Sequence, residues 1–362
     1  MNGIVDVSTF SDALGRVMKL AAKRSVVPEL EQVKISFTGT ACTLTATDLE
    51  QWGTIELTAQ GEAFSFILGN AKEVLKMLSK QTGPLHVAME PTEKLLRVKL
   101  VCGGRESSFF VSDTTDFPDV PPVEALQTYH ADSGALLEKV NAVSYAAAEH
   151  SESRPAMSGV SFLSKEIYCV DGYRMAVAEQ SQMDAEVPFS VPTRMFKSWR
   201  TLFPAGEITL EVGKRYLRVC ASGTTALFRL LDGVALRPQN VFPTSCRERY
   251  QVNPKEYAQE LAYLNSFITQ PVLQPVVFRG GRLSVMTAGG EYAGSIQVEG
   301  SAEVVYGFQG RYMLEAMKQF ADQERITVEV SQPTAPIVLR AGDGRKTLIL
   351  PLRVKQEIDK AA

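Results

Sequence analysis

Apolar residues recur along this chain in two alternating rhythms. Phe10, Leu14, Val17 and Ala21 fall at helical spacing, as do Leu136, Val140 and Val143, and then Tyr257, Leu261, Leu264 and Ile268. Each set puts one apolar stripe on an amphipathic helix. Ser8 stands where an N-cap for the first is expected, Asp132-Ser133 precede the second, and Asn253-Pro254 precede the third. Three more helices are expected over residues 70–78, 192–202 and 311–320. Between them the rhythm shortens to two: Leu85/Val87/Met89, Ile208/Leu210/Val212 and Ile326/Val328/Val330 each read as a half-buried strand. A second set of strands lies at 96–98, 217–219 and 337–339, and a third at 109–111, 226–231 and 347–352.

The same order of elements is written three times. Pro28/Leu30/Val33, Pro155/Met157/Val160 and Pro271/Leu273/Val276 share one Pro-x-(Leu/Met)-x-x-Val spacing, each just before a strand. Repetition at this period means one supersecondary unit copied along the chain. Prolines and turn residues gather at 116–122 and 238–245, which sets domains at 1–120, 126–243 and 246–354, with a C-terminal tail at 355–362. Period-two strands packed on amphipathic helices give an α+β class, with two helices on antiparallel sheet in each of three similar domains.

Composition narrows the picture. The chain has 362 residues, 45% hydrophobic and 22% charged, which is ordinary for a globular protein. No basic segment followed by an apolar run opens the sequence, so no signal peptide is expected, and no apolar stretch is long enough for a membrane span. Cys42, Cys102, Cys169, Cys220 and Cys246 are scattered and odd in number, which speaks against disulfides or a zinc site and fits a reducing cytoplasm.

Net charge is −3, yet the cations are grouped. Arg16, Lys19 and Lys23 share one face of the first helix, with Arg24 beyond. Lys72, Lys76 and Lys80 line the second, and Arg194, Lys197 and Arg200 the fourth. Arg311 and Lys318 mark the sixth, interrupted by Glu315. These are either solvated helix faces or a surface for a polyanion held through its phosphates without base reading.

Catalytic chemistry is hard to find. His86, His130 and His150 have no carboxylate or cysteine at ligand spacing, and the phosphate-cradle, nucleophile-elbow and zinc-protease motifs are absent. No metal, cofactor or catalytic residue is expected. Asp48 and Asp171 occupy equivalent strand ends, either as a carboxylate pair or as a turn-forming aspartate repeated with the fold.

Further motifs carry a family resemblance. Residues 154–159 (RPAMSG) and 170–176 (VDGYRMA) resemble the middle-domain signature of the bacterial DNA polymerase III β sliding clamp, and residues 45–50 (TATDLE) its first-domain counterpart. Residues 312–317 (YMLEAM) and 348–353 (LILPLR) resemble its third domain. The resemblance spans the chain. It implies a non-enzymatic processivity factor: a head-to-tail homodimer closing a ring around double-stranded DNA, opened by a clamp loader and tethering the replicative polymerase. Open strand edges at the two ends of a three-domain chain need partners, so the dimer contact is expected to join Phe109 and Phe110 to Phe267, Ile268 and Ile296.

The family also takes a short partner peptide between its second and third domains. By position the walls here would be Met157, Val170, Gly172, Tyr173, Arg174 and Met175, with Leu236 and Val241. Leu348, Leu350, Pro351, Leu352 and Arg353 would complete them, with Tyr312 nearby. Met and Leu walls with two rim arginines suit an apolar peptide bearing polar groups; the alternative is that Met157, Val241 and Leu348 are plain core. Three departures from the family stand out: Tyr173 replaces a common His, residues 233–238 lack the usual aromatic-Pro-Asp run, and the chain continues past Arg353. A protein-binding scaffold of the same fold that does not encircle DNA is the competing function.

Overall fold

Capping decides where the chain enters its first helix. The structure is a computed structural model describing residues 1–92, 96–233 and 236–354. Helix α1 (Val7–Val17) is capped by Asp6, not by Ser8: Asp6 Oδ1 accepts the N–H groups of Ser8 at 3.0 Å and Thr9 at 2.9 Å. An aspartate satisfies orphan amides and also sets negative charge at the positive end of the helix dipole. The other helices are α2 (Ala71–Leu78), α3 (Ser133–Ser144), α4 (Phe196–Leu202), α5 (Pro254–Asn265) and α6 (Gly310–Gln319). Asn253 caps α5 as expected, with Pro254 in the first turn. The helix expected over 192–202 is shorter, because a 3₁₀ turn at Thr193–Met195 leads into α4.

The chain forms two compact units, one of residues 1–135 and 194–230, the other of residues 136–193 and those from 231 on. In the first, a sheet runs through the strands Arg105–Val111, Leu96–Cys102, Pro84–Pro91, Asn2–Asp6 and Gln51–Gly61. It continues into Thr224–Arg229, Tyr216–Ala221, Glu207–Val212 and Gln127–Asp132. Val33–Thr38, Ala41–Thr47 and Ala63–Leu68 branch from Gln51–Gly61. In the second, Ala185–Pro192, Gly159–Ser164, Glu166–Val170 and Arg174–Glu179 pass into Lys346–Ile349, Ile337–Arg340, Ile326–Val330, Glu248–Val252 and Val298–Gly300. A smaller sheet there holds Gly290–Ser295, Arg282–Thr287, Val276–Arg279 and Tyr306–Phe308. The ladders are antiparallel, as the α+β reading required.

The continuity is informative. Gln51 pairs with Phe228 in one unit, and Arg174 pairs with Ile349 in the other. In each, a strand from the early half of one sequence repeat meets the last strand of the following repeat. Strand alternation holds where one face is wet: Val87 and Val98 are buried on strands whose other face is exposed. It disappears in Arg174–Glu179, whose first five residues are all buried, as for a strand covered on both faces.

Each unit has its own core. In the first, Trp199 stacks on Phe196 and Phe228, and its indole N–H donates to Ser133 Oγ at 2.9 Å while Ser133 Oγ donates to the Phe203 carbonyl at 2.6 Å. In the second, Tyr250, Tyr257, Tyr306, Phe278 and Phe308 pack with Met313 of α6. The Pro-x-(Leu/Met)-x-x-Val spacing makes a 3₁₀ turn that drops Leu30 and Met157 into the interior. The third copy departs, with Leu273 75% exposed.

Candidate nucleic-acid interface and partner pocket

The basic residues of the first unit do not form the continuous helix faces that periodicity suggested. Helix α1 ends at Val17, so Lys19 sits in the turn after it and Lys23 and Arg24 lie beyond that. Lys80 likewise follows the end of α2, at φ 64°. Arg16 must be removed from the set that could face phosphate. Its Nε donates to the Thr201 carbonyl at 3.2 Å, Nη2 to the Leu202 carbonyl at 2.5 Å, and Nη1 pairs with Asp12 at 3.1 Å. Arg16 therefore caps the C-terminus of α4, where orphan carbonyls and the negative dipole end attract a cation.

The remaining cations converge. Lys19, Lys23, Lys72, Arg194 and Lys197 line one groove, with Glu31, Asp48 and Glu73 as the acidic members of its wall. Lys76, Arg200, Arg24 and Lys80 are also exposed in this unit. Arg194 lies 3.7 Å from Glu50, which pairs more closely with Arg229 at 3.0 Å. Asp48 is a turn builder: Oδ1 accepts from Glu50 N–H at 3.0 Å and Gln51 N–H at 2.9 Å. Asp171 does the same for Tyr173 and Arg174, both at 2.9 Å. The residue after each aspartate has positive φ, 70° at Leu49 and 93° at Gly172, so the repeated aspartate serves the fold.

In the second unit the floor of the expected peptide pocket exists as core. Met157, Val170 and Met175 cluster with Tyr168, and Val241 packs against them. Leu348 is brought in by pairing with Met175 across two strands. Three of the expected wall residues are exposed: Tyr173 62%, Leu236 47% and Leu350 39%. The strand expected to run to 352 ends at Ile349, since Pro351 cannot donate to a ladder. Leu350 N–H still reaches the Tyr173 carbonyl at 2.8 Å, and Leu352 N–H the Gly307 carbonyl at 2.8 Å.

Arg174 is not a rim residue. It is buried, donating Nε to Asp171 at 2.9 Å, Nη2 to the Tyr145 carbonyl at 2.6 Å and Nη1 to Glu315. Its guanidinium lies 4.3 Å from the Tyr312 ring centroid and 5.2 Å from that of Tyr145. Arg174 thus braces the Asp171–Tyr173 turn, and Arg353 is the exposed arginine of the pair. Tyr145, and the pairing of Glu315 with Arg174, are not legible in the sequence because nothing local links them to Arg174. Burial works to raise the Glu315 pKa, but hydrogen bonds from Arg311 and Arg174 outweigh it and hold the carboxyl below its ordinary value. The Tyr312 hydroxyl is pushed up by burial and by Asp171. Val234 and Ala235 in the altered loop, and the tail at 355–362, lie outside the described residues.

The expected dimer residues divide. Phe110 is 62% exposed on the edge strand Arg105–Val111, with Arg97 over its ring and Phe109 half-buried beside it. Phe267 is half-buried and stacks on Tyr292 at 3.9 Å, and Ile268 packs partly against the second unit's core. Ile296 is buried in that core, so it presents no surface, and its N–H is held by the Gly281 carbonyl.

Helix-and-sheet repeats paired strand to strand within each unit, with exposed cations gathered on one helical groove, define the class of DNA-clamp folds. The chain shares its fold with bacterial DNA polymerase III β subunits. The Pseudomonas aeruginosa β subunit superposes with a TM-score of 0.87 at 16% identity, covering 98% of this chain and 100% of that one. The sliding clamp of Caulobacter crescentus superposes with a TM-score of 0.86 at 19% identity, with the same coverage. By sequence the chain is 22% identical to the β sliding clamp of Halalkalibacterium halodurans, over 97% of this chain and 98% of that protein. No family model matches the chain.

Proposed function

We propose that this chain is a DNA sliding clamp, a non-catalytic processivity subunit that encircles duplex DNA and tethers a replicative polymerase. The observation that carries the reading is the groove holding Lys19, Lys23, Lys72, Arg194 and Lys197 in a chain of net charge −3. Cations concentrated on one surface of an otherwise acidic molecule suit sequence-independent phosphate contact. Similarity to sliding clamps along nearly the whole chain supports the same reading.

In this reading the three sequence repeats, 1–120, 126–243 and 246–354, are the clamp domains, and two chains associate head to tail into a closed ring. Phe110, Phe109, Phe267 and Ile268 contribute to that contact. A loader opens the ring, and partner peptides dock over Tyr173, Leu236 and Leu350. The protein works in the cytoplasm; among the described residues no helix is long and apolar enough to cross a membrane.

The test is retention on DNA. Clamps loaded on a nicked circle should stay bound in high salt and slide off when the circle is cut. Changing Lys72, Lys76, Arg194 and Lys197 to Glu should reduce the salt dependence of direct duplex binding, by up to about 0.9 log–log units for each phosphate that is no longer neutralised. Equal release from circular and linear DNA refutes encirclement, and a sequence-specific footprint refutes phosphate-only contact.

A further inference from the structure

A second charged cleft lies in the other unit, on a sheet face that the proposed function does not use. It follows from register. Tyr250 and Val252 turn into the core, so Arg249 and Gln251 point the other way. Arg249 stands opposite Glu329, Gln251 opposite Thr327, and Arg340 opposite Thr327 on the far side. One face of three adjacent strands thus presents a polar ladder.

Glu329 organises it. Although only 8% exposed, its Oε1 accepts from Arg249 Nε at 3.2 Å and Nη2 at 2.8 Å, and its Oε2 accepts from Arg340 Nε at 2.8 Å. One carboxylate therefore orients two guanidiniums and leaves excess positive charge. Arg249 Nη1 and both Nη atoms of Arg340 donate no hydrogen bond among the described residues. Arg325, paired with Glu299 at 2.7 Å, adds a third guanidinium to the wall, and Thr327 adds a hydroxyl. The cleft holds about 640 Å³, the size of a small-ligand site, and no aromatic side chain lines it.

We propose that this cleft binds a small, multiply charged phosphate anion, either free pyrophosphate or the diphosphate end of a nucleotide. Planar forks with spare donors match phosphate oxygens two at a time. The nearest ring, Phe242, is covered by the Arg340 guanidinium at 6.0 Å and by Lys346 at 5.2 Å, so a base has no free ring to stack on and the phosphates alone are read. Cys246, 3.8 Å from Arg249 Nη2, lies at the edge and serves as a reporter of occupancy.

Calorimetry of the full chain with pyrophosphate and with a nucleoside diphosphate, in about 150 mM salt to screen diffuse charge, tests this. Saturable one-to-one binding of pyrophosphate is expected, weakened at least about tenfold in Arg249→Gln and in Arg340→Gln. Comparable binding of the nucleotide makes either source a ligand, and pyrophosphate alone binding assigns the free anion. Bound anion should also slow alkylation of Cys246. Arg249 is well exposed, so Arg249→Gln keeps the test decisive if Arg340→Gln misfolds. No saturation up to about 10 mM, affinity unchanged in Arg249→Gln, or binding of the nucleotide without pyrophosphate overturns the proposal. Duplex retention is expected to be unchanged in both variants, which separates this site from the DNA groove.

Discussion

Arg174 turns its guanidinium inward, and that single choice shapes the proposed partner site. Held by Asp171, Glu315 and the Tyr145 carbonyl, it fixes the Asp171–Tyr173 turn and lies beneath Tyr312. Such a buried, fully engaged charge costs several kcal/mol when one partner is removed, because the remaining groups are left uncompensated. The Glu315 pKa is depressed in the folded chain, so its contribution is fully present above the unfolded value of about 4.3 and is lost as pH falls through the lower folded value. Unfolding of the wild type and Glu315→Gln should therefore differ most near neutral pH and converge in acid below about pH 4. A gap between them that stays constant to the acid limit would sink this account. The thiols give a second expectation at this scale. Burial pushes the Cys42 thiol to about 12 and also raises those of Cys169 and Cys102, all three buried. Native protein should react with a thiol reagent at Cys220 and Cys246 only; fast labelling of Cys42 would contradict the buried assignment.

At the scale of elements, the end of the strand Lys346–Ile349 matters most. Pro351 breaks the ladder, so Leu350 leaves the sheet and becomes exposed beside Tyr173, while Leu352 is bridged to Gly307. A strand continued to residue 352 would set successive side chains on opposite faces. Its interruption leaves Leu350 exposed next to Tyr173, whose carbonyl its N–H reaches. Truncating Leu350 to Ala should cost about 1–3 kcal/mol in affinity for a peptide with bulky apolar anchors, if it sits at the contact centre. Duplex retention should not change, since the cations lie in the other unit. Calorimetry with one such peptide decides it: an unaltered Kd removes Leu350 from the contact.

For the whole molecule, what matters is how the sheets end. The strand Arg105–Val111 is an edge carrying exposed Phe110, and the strand Gly290–Ser295 is an edge of the smaller sheet, with Phe267 stacked on its Tyr292. Exposed edges with aromatic residues are templates for pairing with another chain. Light scattering should give the mass of two chains at micromolar concentration, and Phe110→Asp should give the mass of one. A wild-type mass of one chain contradicts the head-to-tail ring.

The sequence by itself determined the repeated order of helices and strands, the α+β class and the location of the turns. Those features follow from periodicity and from turn chemistry within a few residues: Asn253-Pro254 opens α5, and Asp48 and Asp171 each bind the amides two and three positions ahead. The tertiary structure alone decided which charged residues are free. Arg16 and Lys19 look alike in sequence, yet Arg16 is held by carbonyls 185 and 186 residues away, and Arg174 meets a carboxylate 141 residues away. It likewise decided that Ile296 is core while Phe110 is surface, although Phe110 stands between apolar Phe109 and Val111 and Ile296 between polar Ser295 and Gln297. Local pattern sets which way a side chain points along its own element. What it meets there depends on which distant segment the fold brings opposite, and burial and pairing then choose between a brace and a binding group.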